Sequence, residues 1–315
     1  MAEALYTEVR FHDEDAARAH LEAVRWPSGP VCPHCGGTER NSLLKGKSHR
    51  AGLYFCGDCR APFTVTVGTV FERSKVPLRK WLLAMQLMCS SKKGVSSHQL
   101  HRSLGVTYKT AWFMTHRIRE AMRVGPLAVP FGSGGGTVEV DETFIGQDKS
   151  KPRPKRGPAN KLKVLSLADR STGAARSVVV DRLNTRTLMP ILRENIAHEA
   201  RIMTDEASHY RYTRVYFAGH DTVNHSAGEY VRLADRSTHT NTIEGFFSIF
   251  KRGMKGVYQH CGEQHLHRYL AEFDFRYSNR ARLGVTDSQR ADIALKGIGG
   301  KRLTYRGTNV NAQAR

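Results

Sequence analysis

The spacing of apolar residues predicts that the first part of the chain is helical. An apolar stripe over residues 16–24 follows Asp13 and stops before Trp26-Pro27, so we predict a short helix capped by Asp13. From Pro77 to Arg123, apolar residues again recur at helical spacing, interrupted by a glycine-containing turn at residues 105–107. The sequence therefore predicts several helices before residue 124, the last two of which are joined by a short turn.

A change from helical to alternating spacing marks a second region. Glycines at residues 132–136 predict a linker, and residues 137–141 then alternate between apolar and polar side chains, as in a strand. The remaining predicted elements are a hairpin of residues 163–167 and 177–180, a helix from Thr185 or Thr187, strands at 201–205 and 215–217, helices over 241–277 with a break near 253–262, and a polar tail at 286–315. This order predicts an α+β, or mixed α/β, fold.

The charge of the chain points to a polyanionic partner. The 315 residues include 49 Lys and Arg against 29 Asp and Glu, which gives a formal net charge of +20 at pH 7. DNA, RNA and anionic membrane all attract such a surface. Membrane is the weakest of the three, because the longest apolar run, at residues 81–88, is far shorter than the ~20 residues of a membrane span. The first residues do not form a secretion signal, so we expect a cytoplasmic protein.

Two Cys-x-x-Cys pairs are separated by twenty residues. They are Cys32 with Cys35, and Cys56 with Cys59. Each pair points two thiolates to one side, and two pairs together complete a tetrahedral Zn²⁺ site with Zn–S distances of ~2.3 Å. The alternatives are two disulfides or four unrelated thiols, which a reducing cytoplasm disfavours. We predict a zinc ribbon whose metal is structural.

Residues 97–119 predict a helix-turn-helix. The first helix ends at the glycine-containing turn, and a cationic second helix begins after Thr107 as its N-cap. Such an arrangement lays the second helix in a DNA major groove. Tyr108 is expected to approach base edges, and phosphate contacts are expected from Lys109, Arg117 and Arg119. The alternative is an ordinary helical hairpin with a solvated basic face.

Three acidic residues occupy positions that suit a divalent-metal site. Asp141 and Asp205 each end a predicted strand, and Glu244 lies at the start of a predicted helix. Lys251 and Lys255 share the helix face of Glu244. Two Mg²⁺ ions about 4 Å apart can activate an attacking oxygen and stabilise the leaving oxygen of a phosphodiester. The alternative is that these acids do not bind metal. Asp141 would then be a solvated residue at a strand edge, and Glu244 would complement the dipole at the start of its helix.

Four segments together resemble one family. Residues 32–36, 138–146, 239–253 and 272–280 are similar to the zinc-ribbon bacterial insertion-sequence transposases of the insertion-sequence-1595 group, and the similarity extends over about residues 11–282. The resemblance implies a ribonuclease H-like catalytic fold of the DDE superfamily. The corresponding domains are an N-terminal helix and zinc ribbon at 1–72, a helix-turn-helix DNA-binding domain at 73–128, and the catalytic domain at 134–285, followed by the polar tail.

The resemblance also implies roles for individual residues. Asp141 and Asp205 correspond to the first two catalytic aspartates, and Glu244 to the third acid. Lys251 corresponds to a cation that contacts DNA near the cleavage site, two helical turns after that acid. Some members of the group carry Asn as the third residue, and Asn241 lies one turn before Glu244. A carboxylate is the better ligand for Mg²⁺ (or Mn²⁺), so we favour Glu244.

The expected function is that of a DNA transposase. Such a protein binds the double-stranded terminal inverted repeats of its element, cleaves them with Mg²⁺, and joins the freed 3′-hydroxyl to target DNA. Pairing of two ends implies at least a homodimer, associated with the bacterial nucleoid in the cytoplasm. The alternatives are a non-catalytic, zinc-dependent DNA-binding regulator (a domesticated transposase) and a plain nuclease with the same fold. The basic run from Lys149 to Lys163 is either a DNA-tracking loop or a solvated insertion.

Overall fold

The computed structural model describes residues 5–148, 152, 157, 159–224, 231–232 and 235–304. Its helices are α1 (Glu14–Arg25), α2 (Leu78–Ser90), α3 (Ser97–Leu104), α4 (Tyr108–Met122), α5 (Thr185–Asn195), α6 (Thr213–Tyr216), α7 (Asn241–Gly253), α8 (Leu266–Ser278) and α9 (Asp287–Lys296). Its strands are β1 (Asn41–Leu43), β2 (Tyr54–Cys56), β3 (Pro62–Phe63), β4 (Thr137–Ile145), β5 (Leu162–Asp169), β6 (Ala175–Val180), β7 (Arg201–Asp205) and β8 (Gly219–Val223). The predicted mixed α/β class is confirmed.

The chain forms two compact units. The first consists of Met1–Ser91, Val95–Met122 and Thr286–Arg315, and the second of Lys92–Gly94 and Arg123–Val285. The first unit contains helices α1 to α4 and α9 together with the sheet β1-β2-β3, whose neighbouring strands are antiparallel. Within the described residues, no helix is both long enough and apolar enough to cross a membrane.

Local capping groups fix the helix ends of the first unit where the sequence predicts them. The Asp13 side chain accepts a hydrogen bond from the backbone N–H of Ala16 at 2.8 Å, which caps α1. Helix α3 ends at Gly105, whose φ of 59° lies in the left-handed region that glycine adopts without strain. The Thr107 hydroxyl then accepts from the N–H of Thr110 at 3.2 Å and caps α4. The two predicted helices and the short turn that joins them are therefore present.

The prediction of a polar tail at residues 286–315 is wrong for residues 287–296, which are helical. Residues Asp287–Lys296 form α9, which packs against α1, α2 and α4 and buries Ala291, Ala294 and Leu295. A capping box between Thr286 and Gln289 starts this helix. The apolar face consists largely of alanines, which have little hydrophobicity, so the sequence carries only a weak amphipathic signal.

The second unit is built on a five-stranded sheet with the strand order β6-β5-β4-β7-β8. Strands β4, β5 and β6 form an antiparallel meander, and β7 and β8 run parallel to β4. Leu165 and Leu167 of β5 pack on one face with α5, whereas Val164 and Ala168 pack on the other face with α7 and α8. Both faces of the central strands are thus buried.

Two further expectations concern this unit. The strand expected at residues 215–217 is wrong, because Thr213–Tyr216 form α6 and the strand that follows is β8 at the sheet edge. An edge strand that is mostly half-buried carries few apolar residues, so its hydrophobic pattern is faint. Most of the basic run from Lys149 to Lys163, including its cations at 149, 151, 153, 155 and 156, lies outside the described residues.

Candidate functional site

The four cysteines of the two Cys-x-x-Cys pairs come together in the first unit. Their sulfurs lie within 4.8 Å of one another, with 3.6 Å between Cys32 and Cys59 and 3.6 Å between Cys35 and Cys56. A tetrahedral ion with metal–sulfur distances of ~2.3 Å places its ligand sulfurs about 3.8 Å apart. The cluster therefore fits a tetrahedral metal ion. All four cysteines are free, so the disulfide alternative is wrong.

The parallel pairing of β4 and β7 brings the first two predicted aspartates side by side. Thr137 pairs with Arg201 and Glu139 with Met203, which is a constant offset of 64 positions. Asp141 and Asp205 are separated by the same 64 positions, so they lie next to each other where the pairing ends. The carboxyl ends of parallel strands are a common location for active sites in open sheets.

A third carboxylate, which sequence reasoning missed, completes this acidic cluster. Ligand oxygens of Asp141, Glu142 and Asp205 all lie within 4.8 Å of one another. Glu142 accepts hydrogen bonds from His209 Nε2 at 2.7 Å and from the Tyr210 hydroxyl. The only signal in the sequence was that Glu142 directly follows Asp141. Strand alternation points successive side chains to opposite faces, so this pattern disfavours a shared site.

The electrostatics of the acidic cluster favour a bound cation. Burial raises the pKa of Asp141 to about 7; a hydrogen bond from the Glu142 backbone N–H opposes this shift, and the charges of Glu142, Asp205 and Glu244 add to it. Burial also raises the pKa of Asp205, with Glu142 adding to the effect. Carboxylates that repel one another in a partly buried site are stabilised by a divalent cation, whose preferred ligands are oxygens.

Helix α7 carries Glu244 and is held against the sheet by a buried carboxylate. Glu139, which is 0% exposed, accepts from the backbone N–H of Ile243 at 2.9 Å in the first turn of the helix. Arg170 donates to Glu139 at 2.6 Å and also to the backbone oxygens of Ser237 and His239, each at 2.6 Å. Glu139 and Arg170 therefore fix the start of α7, and neither was singled out as a site residue from the sequence.

Glu244 lies near the acidic cluster but outside its closest group. Its charge contributes to the raised pKa of Asp141, yet among the described residues the 4.8 Å group contains Glu142 rather than Glu244. Asn241, at the start of α7, is exposed. Lys251 and Lys255 are exposed as well, and the Lys251 ammonium lies 5.7 Å from the centre of the Phe247 ring.

The cations of α4 divide into exposed and buried groups. Tyr108 is 44% exposed, and Lys109 beside it is also exposed. Arg117 is buried and donates to the backbone oxygens of Glu72 and Leu303, both at 3.2 Å, and the buried Arg119 donates to Thr115. The expected phosphate contacts of Arg117 and Arg119 are therefore wrong, because both side chains are buried within the first unit.

Comparisons with known families match both regions of the chain. A family model described as an ISXO2-like transposase domain matches residues 134–278, which include the acidic cluster. A second, described as a transposase zinc-ribbon domain, matches residues 12–62 and so includes the four cysteines. Both models belong to the insertion-sequence-1595 group, and together they match more than half of the chain. The chain belongs to the insertion-sequence-1595 transposases.

Individual relatives of this transposase agree with the family. A Halobacterium salinarum protein named as an uncharacterized protein in transposable element ISH50 is 29% identical over 288 residues, which cover 84% of this chain and 91% of the relative. An uncharacterized transposase-like protein of Haemophilus influenzae is 28% identical over 103 residues, which cover 33% of this chain and 80% of the relative. The family expected from the sequence is confirmed.

Proposed function

We propose that this transposase binds the terminal inverted repeats of an insertion sequence and, with divalent metal, cleaves and rejoins DNA strands. The observation that carries the proposal is the convergence of Asp141, Glu142 and Asp205 where the parallel pairing of β4 and β7 ends. The convergence occurs within the region that matches a DDE transposase domain. The partner is double-stranded DNA, both the element ends and the target, and a homodimer or larger assembly pairs two ends.

The acidic residues are proposed to hold Mg²⁺ or Mn²⁺. Asp141, Asp205 and Glu244 serve as the catalytic acids, with Asn241 as the alternative third residue. Divalent ions held by these residues would activate an attacking oxygen and stabilise the leaving oxygen of a phosphodiester. Lys251 and Lys255 are exposed on the helix that carries Glu244, where they suit contacts with DNA phosphates. The four-cysteine cluster is proposed to hold a structural Zn²⁺, since tetrahedral thiolate sites favour this ion.

Sequence-specific binding is proposed for the first turn of α4. Tyr108 and Lys109 are exposed there, and the Tyr108 ring stacks on His98 of α3 with ring centres 4.3 Å apart. No acidic residue occurs between positions 92 and 119. This surface is therefore cationic and keeps its aromatic ring in place, which suits phosphate and base-edge contacts.

The direct test is cleavage of the DNA that flanks the coding region. Labelled duplexes that carry those flanks are incubated with the full-length protein and Mg²⁺, and nicks and joined products are measured. Asp141→Asn and Asp205→Asn should each lower cleavage by roughly 10³-fold or more, because metal-dependent stabilisation of charge contributes several kcal/mol. Asp181→Asn is the matched control, since Asp181 is exposed and lies outside the acidic cluster.

The outcomes separate the candidate functions. Nicks with joined strand-transfer products support the transposase, and nicks without any joined product identify a nuclease. Binding without nicks at every Mg²⁺ and Mn²⁺ concentration supports the DNA-binding regulator. Full cleavage by Asp141→Asn would refute the catalytic assignment.

A further inference from the structure

We propose that Glu142 supplies a carboxylate oxygen to the divalent ion of the acidic cluster, and that Tyr210 and His209 are the positioning residues that hold it there. This inference rests on the proposed function, because that function places the ion between Asp141 and Asp205. It adds a ligand beyond Glu244 and Asn241, as well as two donors that fix its orientation.

Strand alternation alone does not explain why the carboxylates of Asp141 and Glu142 lie close together. In a regular strand, Asp141 and Glu142 point to opposite faces of the sheet. Val138 and Val140 of β4 pack in the core on the α5 face, whereas Glu139 bonds to α7, so alternation assigns Glu142 to the α5 face. Its carboxylate nevertheless has an oxygen within 4.8 Å of both aspartates. The groups that hold the Glu142 side chain therefore decide whether its carboxylate can share an ion with the two aspartates.

Two hydrogen bonds hold the carboxylate of Glu142 in this position. His209 and Tyr210 belong to a 3₁₀ turn, Ser208–Tyr210, which begins three residues after Asp205. The Tyr210 side chain is 1% exposed within the same core as α5, so its hydroxyl has a fixed position. The turn that follows Asp205 thus holds Glu142, which is the residue that follows Asp141.

The pattern of donors leaves one oxygen of Glu142 for a cation. Both His209 and Tyr210 donate to the same oxygen, Oε1. Within the part of the chain that the structure describes, no hydrogen bond to Oε2 occurs. A cation can therefore take Oε2 without displacing either donor. This is the usual arrangement of a metal ligand that neighbouring donors orient, and removing such a donor typically weakens metal binding 10- to 100-fold.

The test measures Mn²⁺ binding to the full-length protein without DNA, by electron paramagnetic resonance of the free ion. Glu142→Gln keeps the side-chain shape and an acceptor for both donors but removes the charge, and Tyr210→Phe removes only a hydroxyl. We expect Glu142→Gln to weaken Mn²⁺ binding at least tenfold and Tyr210→Phe to weaken it roughly tenfold. Glu206→Gln, the matched control, removes an exposed charge beside Asp205 that is not in the acidic cluster, and should change binding less than threefold.

Asp141→Asn distinguishes failure of this inference from failure of the proposed function. If Asp141→Asn abolishes Mn²⁺ binding while Glu142→Gln binds like the wild type, the ion site stands and the role of Glu142 is refuted. If Asp141→Asn also binds normally, the proposed metal site itself is refuted. Far-UV circular dichroism accompanies each variant; a loss of stability in Glu142→Gln with unchanged Mn²⁺ affinity identifies a purely structural carboxylate and overturns the inference.

Discussion

The buried carboxyl group of Asp274 should make the second unit less stable as pH rises. Asp274 lies on α8 and accepts hydrogen bonds at 2.7 Å from the backbone N–H and the hydroxyl of Ser177, on the edge strand β6. Burial raises its pKa from 3.8 to about 7, although the bonds from Ser177 oppose the shift. Because the folded state holds this proton more tightly than the unfolded chain, stability is highest at low pH and is lost as pH rises from about 4 to 7.

The magnitude follows from the size of the shift. A shift from 3.8 to about 7 corresponds to roughly 4 kcal/mol at 1.36 kcal/mol per pKa unit. Asp274→Asn keeps an acceptor for the Ser177 N–H and cannot ionise. The stability of this variant relative to the wild type should therefore increase by about 2.5 kcal/mol between pH 5 and pH 8. For a unit of this size, the difference in Tm should widen by roughly 5–10 °C.

The assay must report on the second unit. All three tryptophans, Trp26, Trp81 and Trp112, belong to the first unit, so tryptophan fluorescence is unsuitable. Differential scanning calorimetry at pH 5, 6, 7 and 8 is combined with hydrogen exchange of a peptide over β6, corrected for the intrinsic exchange rate. A difference between wild type and variant that stays constant from pH 5 to pH 8 would show that Asp274 ionises at its ordinary pH and would refute the reasoning.

Three further predictions concern the metal cluster, the DNA-binding surface and helix packing. Cys32→Ser should release bound zinc, measured with a colorimetric chelator, and unfold the ribbon; retained zinc would contradict the four-cysteine site. Lys109→Ala should weaken DNA binding and reduce the slope of log affinity against log salt by about 1, whereas Arg117→Ala should leave the slope unchanged and lower Tm; the opposite pattern would contradict the observed burial. Gly253→Ala should destabilise the second unit by about 1–3 kcal/mol, because the new Cβ would lie 2.6 Å from a backbone oxygen. Gly245→Ala, in the same helix with open space around it, should be neutral or stabilising by up to about 1 kcal/mol in urea unfolding.

Features that depend on near neighbours in the chain could be predicted from the sequence. The caps at Asp13 and Thr107 and the left-handed turn at Gly105 require only groups within a few residues. The spacing within each Cys-x-x-Cys pair similarly constrains where its two sulfurs can point. The alternating pattern over residues 137–141 also identified β4 and placed Asp141 on it, but the prediction that Asp141 ends the strand is wrong, because β4 continues to Ile145.

Features that depend on distant segments were decided by the tertiary structure. Arg117 looks like an exposed helix cation, but backbone oxygens of Glu72 and Leu303 accept its hydrogen bonds. Glu142 would point away from Asp141 in a regular strand, and the two donors to its carboxylate come from the turn that follows β7. The physical reason is that periodicity along the chain determines which residues share a face of an element. Which distant segments cover that face, and which hydrogen-bond donors they contribute, depends on how the whole chain folds.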